Sequence, residues 1–150
     1  MFNLKGRVAV ISGSSSGLGK QMSYAFAKQG ASLVLLARRI EKLEELKIEL
    51  EKLDVKVLPI KCDVTSTEDI NKAASLAEKV FGKVDILVNC AGASKDKGAL
   101  DMTDEEWQFT LDTDLTSVFK MTRAFASIMK QNNYGRIINI ASMYGLVGNT

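Results

Sequence analysis

The residues best suited to binding chemistry lie in the segment Ser12–Gly19, where three glycines and a run of three serines fall within eight positions. The segment follows the apolar run Val8–Ile11 and opens a stretch of helical periodicity. Glycine permits a tight turn there and lets backbone N–H groups approach a phosphate at the positive end of a helix. Such a loop is typical of nucleotide binding, with a purely structural turn as the alternative. We expect phosphate contacts from Gly13, Ser15, Ser16, Gly17, Leu18 and Gly19.

The spacing of the glycines, G-x-x-x-G-x-G, differs from the common G-x-G-x-x-G fingerprint of dinucleotide sites. A triphosphatase loop is disfavoured, because it would need glycine in place of Ser14 and a hydroxyl residue in place of Gln21. The segment Ala37-Arg38-Arg39 indicates which dinucleotide is bound, since it follows the second apolar run and contains no carboxylate. A carboxylate there would hold the ribose of NAD, whereas arginines bind a 2′-phosphate. We predict NADP, with NAD less favoured; arginines that only solvate a helix start are the alternative.

The inventory of side chains excludes several kinds of catalytic site. The chain has no histidine, so it cannot form a Ser-His-Asp triad, use a histidine base or bind zinc through imidazole. Cys62 and Cys90 match no metal or redox spacing, and we expect two free buried thiols and no metal site. Proton transfer must then use Tyr, Lys, Asp, Ser or water.

Composition indicates an ordinary globular protein, with 46% hydrophobic and 25% charged residues in a length of 150. The net charge is only +2, and Lys and Glu are interleaved, so we expect neither nucleic acid nor an anionic membrane as a partner. No apolar run approaches the roughly 18 residues that span a bilayer, and the first residues do not resemble a signal peptide. We expect a soluble, cytoplasmic protein.

Short β-branched runs alternate with segments of helical periodicity, which is the pattern of repeated βαβ units and a parallel sheet. The predicted strands cover residues 8–11, 33–36, 55–60, 84–88 and 136–140, and Pro59 indicates that the third is an edge strand. A complete doubly wound dinucleotide fold has about six strands. We therefore predict an α/β, Rossmann-type sheet truncated after the fifth strand, with residues 1–150 as one incomplete NADP-binding domain.

Helices are predicted between these strands. The second helix presents one apolar face to the sheet, formed by Ile40, Leu43, Leu46, Leu50 and Leu53. A capping box at Thr65…Glu68 is expected to open the third helix, which closes near Gly82. A second capping box at Thr103…Glu106 predicts one long helix that runs to about Gln131.

Four motifs together resemble those of the short-chain dehydrogenase/reductase family. The loop Ser12–Gly19 is similar to the family's Thr-Gly-x-x-x-Gly-x-Gly motif, and Cys62-Asp63-Val64 is similar to its Asp-Val after the third strand. The segment Asn89-Cys90-Ala91-Gly92 is similar to its Asn-Asn-Ala-Gly motif, and Ser142 follows the fifth strand as the family's catalytic serine does. The motifs occur in order and cover nearly the whole chain.

The resemblance implies a role for each matching residue. Asp63-Val64 would contact the adenine of the cofactor, Asn89 would brace the sheet, and Ala91-Gly92 would lie against the cofactor. Ser142 would hydrogen-bond the substrate oxygen during hydride transfer between the nicotinamide and a carbonyl or secondary alcohol. A serine that merely ends a strand is the alternative for Ser142.

The chain departs from the family's pattern in the long helix, where Asp114 stands in the position of an Asn whose backbone helps hold a water in a proton relay. A buried carboxylate there could perturb the relay, and an ordinary polar residue on a helix face is the alternative. The acidic variant is similar to gluconate 5-dehydrogenases, and the chain also resembles 3-oxoacyl thioester reductases.

A second departure concerns the proton donor, which in the family is the Tyr of a Tyr-x-x-x-Lys motif soon after the serine. Neither Tyr134 nor Tyr144 has Lys four residues on, and Tyr24…Lys28 lies on the helix after the phosphate loop. We expect the pair to lie past Thr150 and the 150-residue chain itself to be inactive. A non-catalytic dinucleotide-binding or scaffold module is the alternative function.

The expected partners are a small carbonyl or alcohol substrate and further copies of the chain. The long helix carries apolar residues on more than one side, and family members pair this helix across a subunit interface. The resemblance implies a homodimer or homotetramer, although a helix packed on two sides within one core would show the same pattern.

Overall fold

A five-stranded sheet organises residues 3–95 and 97–147, which are the part of the chain that the computed structural model describes. The strands are β1 (Val8–Ser12), β2 (Ser32–Ala37), β3 (Val57–Lys61), β4 (Ile86–Asn89) and β5 (Arg136–Asn139). Their order is β3-β2-β1-β4-β5, and all neighbours are parallel. This order matches the first five strands of the doubly wound dinucleotide fold, which confirms the predicted fold class.

Helices cover both faces of the sheet. They are α1 (Gly17–Lys28), α2 (Ile40–Glu51), α3 (Thr67–Phe81), α4 (Asp104–Leu111) and α5 (Ser117–Gln131). Buried residues of α1 and α2 form one hydrophobic cluster with the sheet, and those of α3 and α5 form another. The crossovers therefore place two helices on each face, as parallel strands require.

The strand β2 shows why its sequence is apolar without interruption. Val34 and Leu36 belong to the cluster with α3 and α5, whereas Leu33 and Leu35 belong to the cluster with α1 and α2. All four side chains are fully buried, because successive residues of a strand point to opposite faces and both faces carry helices.

The two edges of the sheet differ in burial. β3 forms one edge, as Pro59 predicts, and this proline lies opposite Leu35 in the register. β5 forms the other edge, and all four of its residues are exposed. Ile137 and Ile138 keep 40% and 42% of their surface accessible, so neither face of β5 is covered by a helix as β2 is.

The predicted start of the third helix is wrong. α3 is capped by Ser66, whose hydroxyl accepts from the Asp69 backbone N–H, and not by a Thr65…Glu68 box. Thr65 is unavailable as a cap because its hydroxyl donates to the Asp63 carboxylate at 2.8 Å. The predicted end is right: Gly82 follows α3 in the left-handed conformation.

Two further expectations hold only in part. Leu43, Leu46 and Leu50 of α2 are buried as predicted, but α2 ends at Glu51 and leaves Leu53 39% exposed in the following turn. Both cysteines are free thiols, but only Cys62 is buried, since Cys90 follows β4 at a partly open position.

The predicted long helix is interrupted. The Thr103…Glu106 capping box forms as expected, with hydrogen bonds in both directions. Residues Asp112–Thr116 between α4 and α5 then adopt a π-helix, which shifts the register of the side chains that follow. Single π turns inside helices are often found at functional sites.

None of the helices in the described ranges is long and apolar enough to cross a membrane. Within the same residues, no group of three His, Cys, Asp or Glu side chains is arranged to hold a metal ion.

Candidate functional site

A cleft with a volume of about 850 Å³ lies at the carboxyl ends of the strands, where the order reverses between β1 and β4. Ligands of open α/β sheets bind at this switch point, and the volume is in the range of about 300–1,000 Å³ for small-molecule sites. Eleven of the predicted site residues line it: Gly13, Ser15, Ser16, Leu18, Gly19, Arg38, Arg39, Asp63, Val64, Ala91 and Gly92.

The loop between β1 and α1 needs glycine at two positions for different reasons. Gly13 has φ +72°, and a Cβ there would come within 2.9 Å of the Ala91 Cα. A Cβ on Gly19 would lie 2.4 Å from the Gly13 carbonyl oxygen. The backbone of this loop is thus packed against itself and against the end of β4, which leaves its outer side open to the cleft.

The N-terminus of α1 faces the cleft without a side-chain cap. Ser16 is the N-cap residue, and its hydroxyl makes no cap hydrogen bond to any described residue. Gly17, with φ +54°, has open space where a Cβ would be. An α-helix leaves its first N–H groups unpaired and its N-terminus positive, so this end is suited to an anion such as a phosphate.

Ser12 connects the loop to β4, a role that we did not predict. Its buried hydroxyl accepts hydrogen bonds from the backbone N–H groups of Cys90 and Ala91, both at 3.0 Å. It also donates to the Val88 carbonyl oxygen at 3.4 Å. A buried hydroxyl at the end of β1 therefore sets the distance between the two loops that form the floor of the cleft.

Arg39 reaches from the end of β2 to the phosphate loop. Its guanidinium donates to the Ser15 and Ser16 hydroxyl oxygens at 3.0 and 3.1 Å. Arg38 and Arg39 are both exposed at the cleft, and the first carboxylate after them is Glu41, already inside α2. This corner of the cleft combines two positive charges with two hydroxyl groups.

The opposite wall is formed by the residues after β3. The Asp63 carboxylate accepts from the Thr65 backbone N–H at 2.9 Å and from its hydroxyl at 2.8 Å. Burial tends to raise the pKa of Asp63, but these hydrogen bonds and the nearby Arg38 guanidinium hold the pKa below its usual value. Asp63 is therefore ionised at neutral pH.

Asn89 lies beneath the cleft and does not line it. Its side-chain amide donates to the Asn139 carboxamide oxygen at 2.9 Å and to the Thr122 hydroxyl at 3.4 Å. Asn89 thereby joins β4 to β5 and to α5, while its own Oδ1 is buried and accepts from none of the described residues. Ala91 and Gly92 follow and form the floor of the cleft.

Asp114 lies in the π-helix and is exposed, so of the two alternatives that the sequence left open, the buried carboxylate is not the one observed. Its Oδ1 accepts from the Ala93 backbone N–H at 2.9 Å. A Cβ on Gly92 would lie 3.3 Å from the same oxygen. The carboxylate therefore holds the loop after β4, which an ordinary polar residue on a helix face would not do.

Ser142 follows β5 and is exposed, outside the lining of the cleft. It is the N-cap of a 3₁₀ turn, Met143–Gly145, and its hydroxyl oxygen accepts from the Tyr144 backbone N–H at 3.2 Å. The Ser142 hydroxyl proton has no acceptor among the described residues. Of the predicted site residues, Gly17, Asn89, Asp114 and Ser142 lie beside the cleft lining.

Several lining residues were not predicted, among them Thr65, Phe109, Thr113 and Ile140. Phe109 and Thr113 lie four residues apart, and the Thr113 hydroxyl donates to the Phe109 carbonyl oxygen at 2.8 Å. Their spacing on one helix face was the only signal in the sequence. Cys62 also lines the cleft, where burial and the charges of Asp69 and Asp63 raise its pKa to about 12. Its thiol is therefore protonated and a poor nucleophile.

Comparisons with known proteins identify the family. The sequence profile of the short chain dehydrogenase family matches residues 7–150, and the chain belongs to that family. It is 39% identical over 149 residues to nodulation protein G of Rhizobium sp. (strain N33), covering 99% of this chain and 60% of that protein. It is 33% identical over 146 residues to a 3-oxoacyl-[acyl-carrier-protein] reductase of Thermotoga maritima, covering 97% of this chain and 59% of the reductase.

Solved structures of the family share the whole described fold. A short-chain type dehydrogenase/reductase from Mycobacterium marinum is 37% identical with a TM-score of 0.95, covering 99% of this chain and 60% of its own. L-sorbose reductase from Gluconobacter frateurii, solved with NADPH and L-sorbose, is 36% identical with a TM-score of 0.91. The match covers 95% of this chain and 54% of the reductase. An NAD+-bound xylitol dehydrogenase is 29% identical with a TM-score of 0.93, and the match covers 97% of this chain and 56% of the dehydrogenase. The chain thus spans about 60% of the length of the curated relatives that it matches.

The residues of the cleft fit a nicotinamide dinucleotide. The loop requires glycine where its backbone closes on Ala91, α1 is uncapped at the open side, and two arginines stand at the rim. Phosphates, a ribose and an adenine need these donors and this flat, partly apolar floor. Structures with both NADPH and NAD+ occur among the relatives, so the family takes either dinucleotide.

Proposed function

We propose that residues 1–150 form the NADP-binding domain of an oxidoreductase that transfers a hydride between the nicotinamide and a carbonyl or secondary alcohol. Family membership, the fold and the cleft support this function. The observation that carries the choice of NADP is the position of Arg39, whose guanidinium already contacts the Ser15 and Ser16 hydroxyls of the phosphate loop.

The preference for NADP rests on charge and geometry at the end of β2. A 2′-phosphate at this corner would meet the guanidiniums of Arg38 and Arg39, which can each offer two parallel hydrogen bonds. A carboxylate that would hold the 2′-hydroxyl of NAD, and repel a phosphate, is missing from positions 37–39. Asp63 lies near Arg38 in the lining of the cleft, where the carboxylate oxygen that accepts from none of the described residues would accept from the adenine amino group.

The cofactor, when bound, accepts or supplies the hydride. The chain's own residues orient it: the N-terminus of α1 binds the pyrophosphate, and Ala91 and Gly92 support the nicotinamide side. Asp114 keeps the loop after β4 in place through the Ala93 N–H. Ser142 would donate a hydrogen bond from its hydroxyl to the substrate oxygen, where negative charge develops during reduction. No histidine is available to make Ser142 a covalent nucleophile.

A proton donor is the remaining requirement for turnover. No Tyr-x-x-x-Lys segment follows Ser142 within the 150 residues. We therefore expect the purified chain to bind NADPH but not to oxidise it with any ketone. Measurable turnover would refute this expectation. A gene whose product continues past Thr150 without a Tyr-x-x-x-Lys segment would favour the alternative, a non-catalytic dinucleotide-binding module.

We further propose that a second copy of the chain covers the outer side of α4 and α5, giving a homodimer or homotetramer. Trp107, Leu115 and Phe119 are 58%, 65% and 61% exposed on this surface. Large apolar side chains grouped in this way are typical of association surfaces. Sedimentation velocity of the wild type and of Phe119→Asp would test it, with a shift to monomer expected. A cytoplasmic location stays a prediction.

The choice of cofactor is tested with paired ligands and paired variants. Arg39→Ala should weaken NADPH binding about 10- to 100-fold, a loss of about 1.4–2.7 kcal/mol that corresponds to one charged hydrogen bond. NADH binding should change less than about threefold. Lys52→Ala removes the same charge from an exposed turn after α2 and should change neither affinity. Equal losses for NADPH and NADH in Arg39→Ala would contradict the proposal.

A further inference from the structure

The wall of the cleft after β3 is attached to the sheet by a hydrogen bond from the Cys62 backbone N–H to the Ala37 carbonyl oxygen at 3.0 Å and by the buried side chains of Cys62 and Val64. Cys62, Asp63, Val64 and Thr65 all line the cleft. They follow an edge strand, since β3 pairs only with β2. A segment that leaves an edge strand has no partner strand on its outer side, so other contacts must hold its position.

Local hydrogen bonds give this segment its turn. Asp63 accepts from both donors of Thr65, and the Ser66 backbone N–H donates to the Asp63 carbonyl oxygen at 3.0 Å. The Asp63 backbone N–H in turn donates to the Asp69 carboxylate at 3.0 Å. All of these partners lie within six residues, so these hydrogen bonds shape the turn but do not connect Asp63 and Thr65 to a distant part of the chain.

Lys120 supplies a contact from a distant part of the chain. It lies on α5, and its ammonium donates to the Thr65 carbonyl oxygen at 2.9 Å, across a sequence separation of 55 residues. α5 packs against α3 on the same face of the sheet, which brings the side chain to the turn. Lys120 is partly buried, and its positive charge suits a turn that carries the carboxylates of Asp63 and Asp69.

We propose that Lys120 is a positioning residue for the adenosine half of the dinucleotide. By binding the Thr65 carbonyl oxygen, it anchors the turn that presents Asp63 and Val64 to the cleft. Because a lysine side chain is flexible and strongly hydrated, holding it here has a cost in conformational freedom that the bond to the turn offsets. The inference rests on the proposed function, since it assigns the adenosine half to this wall.

The test compares Lys120→Met, which keeps the length of the side chain and removes its donors, with Lys120→Arg, which keeps a donor. Lys130→Met is the matched control, since Lys130 is exposed in the last turn of the same helix. Isothermal titration with NADPH and with adenosine 2′,5′-bisphosphate measures binding of the whole cofactor and of its adenosine half. We expect Lys120→Met to weaken both ligands by the same factor, about 5- to 10-fold. Lys120→Arg should stay within about threefold of the wild type, and Lys130→Met should be unchanged.

Amide hydrogen exchange of the ligand-free chain separates positioning from a general loss of stability. Exchange in Lys120→Met should speed up at residues 63–66 and stay unchanged in the loop Ser12–Gly19. Wild-type affinity in Lys120→Met, or weaker NADPH binding with unchanged binding of the bisphosphate, would overturn the inference while leaving the proposed function intact. A wild-type chain that binds neither ligand would instead contradict the proposed function, and the inference with it.

Discussion

Two regions of the molecule differ in how far contacts within the 150 residues bury and hold them. One is the cofactor side, formed by β1, β2 and the loops that follow them. The other is the reaction side, formed by β5 and the turn at Ser142. On the cofactor side, β1 and β2 are buried on both faces. The Arg39 guanidinium joins the end of β2 to the loop after β1, and the Ser12 hydroxyl joins the end of β1 to the loop after β4. On the reaction side, β5 is exposed along its whole length, and Ser142 follows it in an exposed turn. The chain's own contacts thus order the first side far more than the second.

This difference separates two requirements of a dehydrogenase. Binding a dinucleotide needs a rigid backbone cradle and a few charges, and these come from consecutive βαβ units of the first 92 residues. Reaction needs a substrate oxygen to be surrounded by donors that are held in place. Here the Ser142 hydroxyl is held, within the described residues, only by the Tyr144 N–H.

The largest effect is expected from a substitution in the loop between β1 and α1. Gly19→Ala would place a Cβ 2.4 Å from the Gly13 carbonyl oxygen, so the loop must move. We expect NADPH affinity to fall at least about 100-fold, the equivalent of roughly 3 kcal/mol. Gly145→Ala on the reaction side is the matched control, since a Cβ there meets nothing within 4 Å. Titration of both variants with NADPH measures the difference. Similar losses of affinity would show that the cofactor side and the reaction side do not differ in their contribution to NADPH binding.

The second prediction compares the strands by their contribution to stability. Leu35→Ala in β2 removes a fully buried side chain and should lower the free energy of unfolding by about 2–5 kcal/mol. Ile138→Ala in β5 removes one that is 42% exposed and should cost less than about 1.5 kcal/mol. Urea denaturation of both variants measures these values. Equal losses in the free energy of unfolding would mean that β5 is buried in solution, and this would contradict the difference in burial between the two sides.

A third prediction concerns Asp85, which links the two sides at the amino ends of the strands. Its buried carboxylate accepts from the Arg7 guanidinium at 2.7 Å and the Val8 N–H at 2.9 Å, and its backbone carbonyl accepts from the Arg136 N–H of β5. Burial tends to raise the pKa of Asp85, but the hydrogen bonds from Arg7, Val8 and Lys83 hold it below the usual value.

Because the folded state lowers the pKa of Asp85, its stabilisation is present above the unfolded value of about 4 and is lost as the pH falls through the folded value. Asp85→Asn should therefore lose about 2 kcal/mol at pH 7 and progressively less below pH 4. The exposed Asp101→Asn should change little at either pH. Denaturation midpoints at pH 7 and pH 3 test this, and a pH-independent difference would exclude the charge as the cause.

The smallest effect is expected at the serine. Ser142→Ala should change NADPH affinity by less than about twofold, because Ser142 lies outside the cleft lining and the described hydrogen bond of its hydroxyl is local. Titration of the variant beside the wild type measures this. A loss of NADPH affinity of more than about fivefold would show that Ser142 belongs to the cofactor site and not only to the reaction side.

The features predicted from the sequence are those with a local physical cause. Apolar runs such as Leu33–Leu36 indicate strands because burial on both faces requires them, and the Thr103…Glu106 box indicates a helix start because both partners lie within one turn. The glycine spacing likewise predicted a phosphate loop, whose close approaches at Gly13 and Gly19 require glycine.

The features that were missed depend on contacts between distant residues or on competition between neighbours. Ser66 caps α3 because Asp63 engages the Thr65 hydroxyl, and spacing alone cannot show that. The π-helix around Asp114 has no local signal in the sequence, and the contact from Lys120 to Thr65 depends on the packing of α5 beside α3. Ser12 was recognised as part of a motif, but its role in joining two loops is visible only in the fold.

The most direct test of the central claim is to measure the dissociation constants of NADPH and NADH for the unmodified 150-residue chain by isothermal titration. If the cofactor side is complete and Arg38 and Arg39 receive a 2′-phosphate, NADPH binds at least about tenfold more tightly than NADH, which corresponds to about 1.4 kcal/mol. Tighter binding of NADH, or binding of neither dinucleotide, would contradict the account.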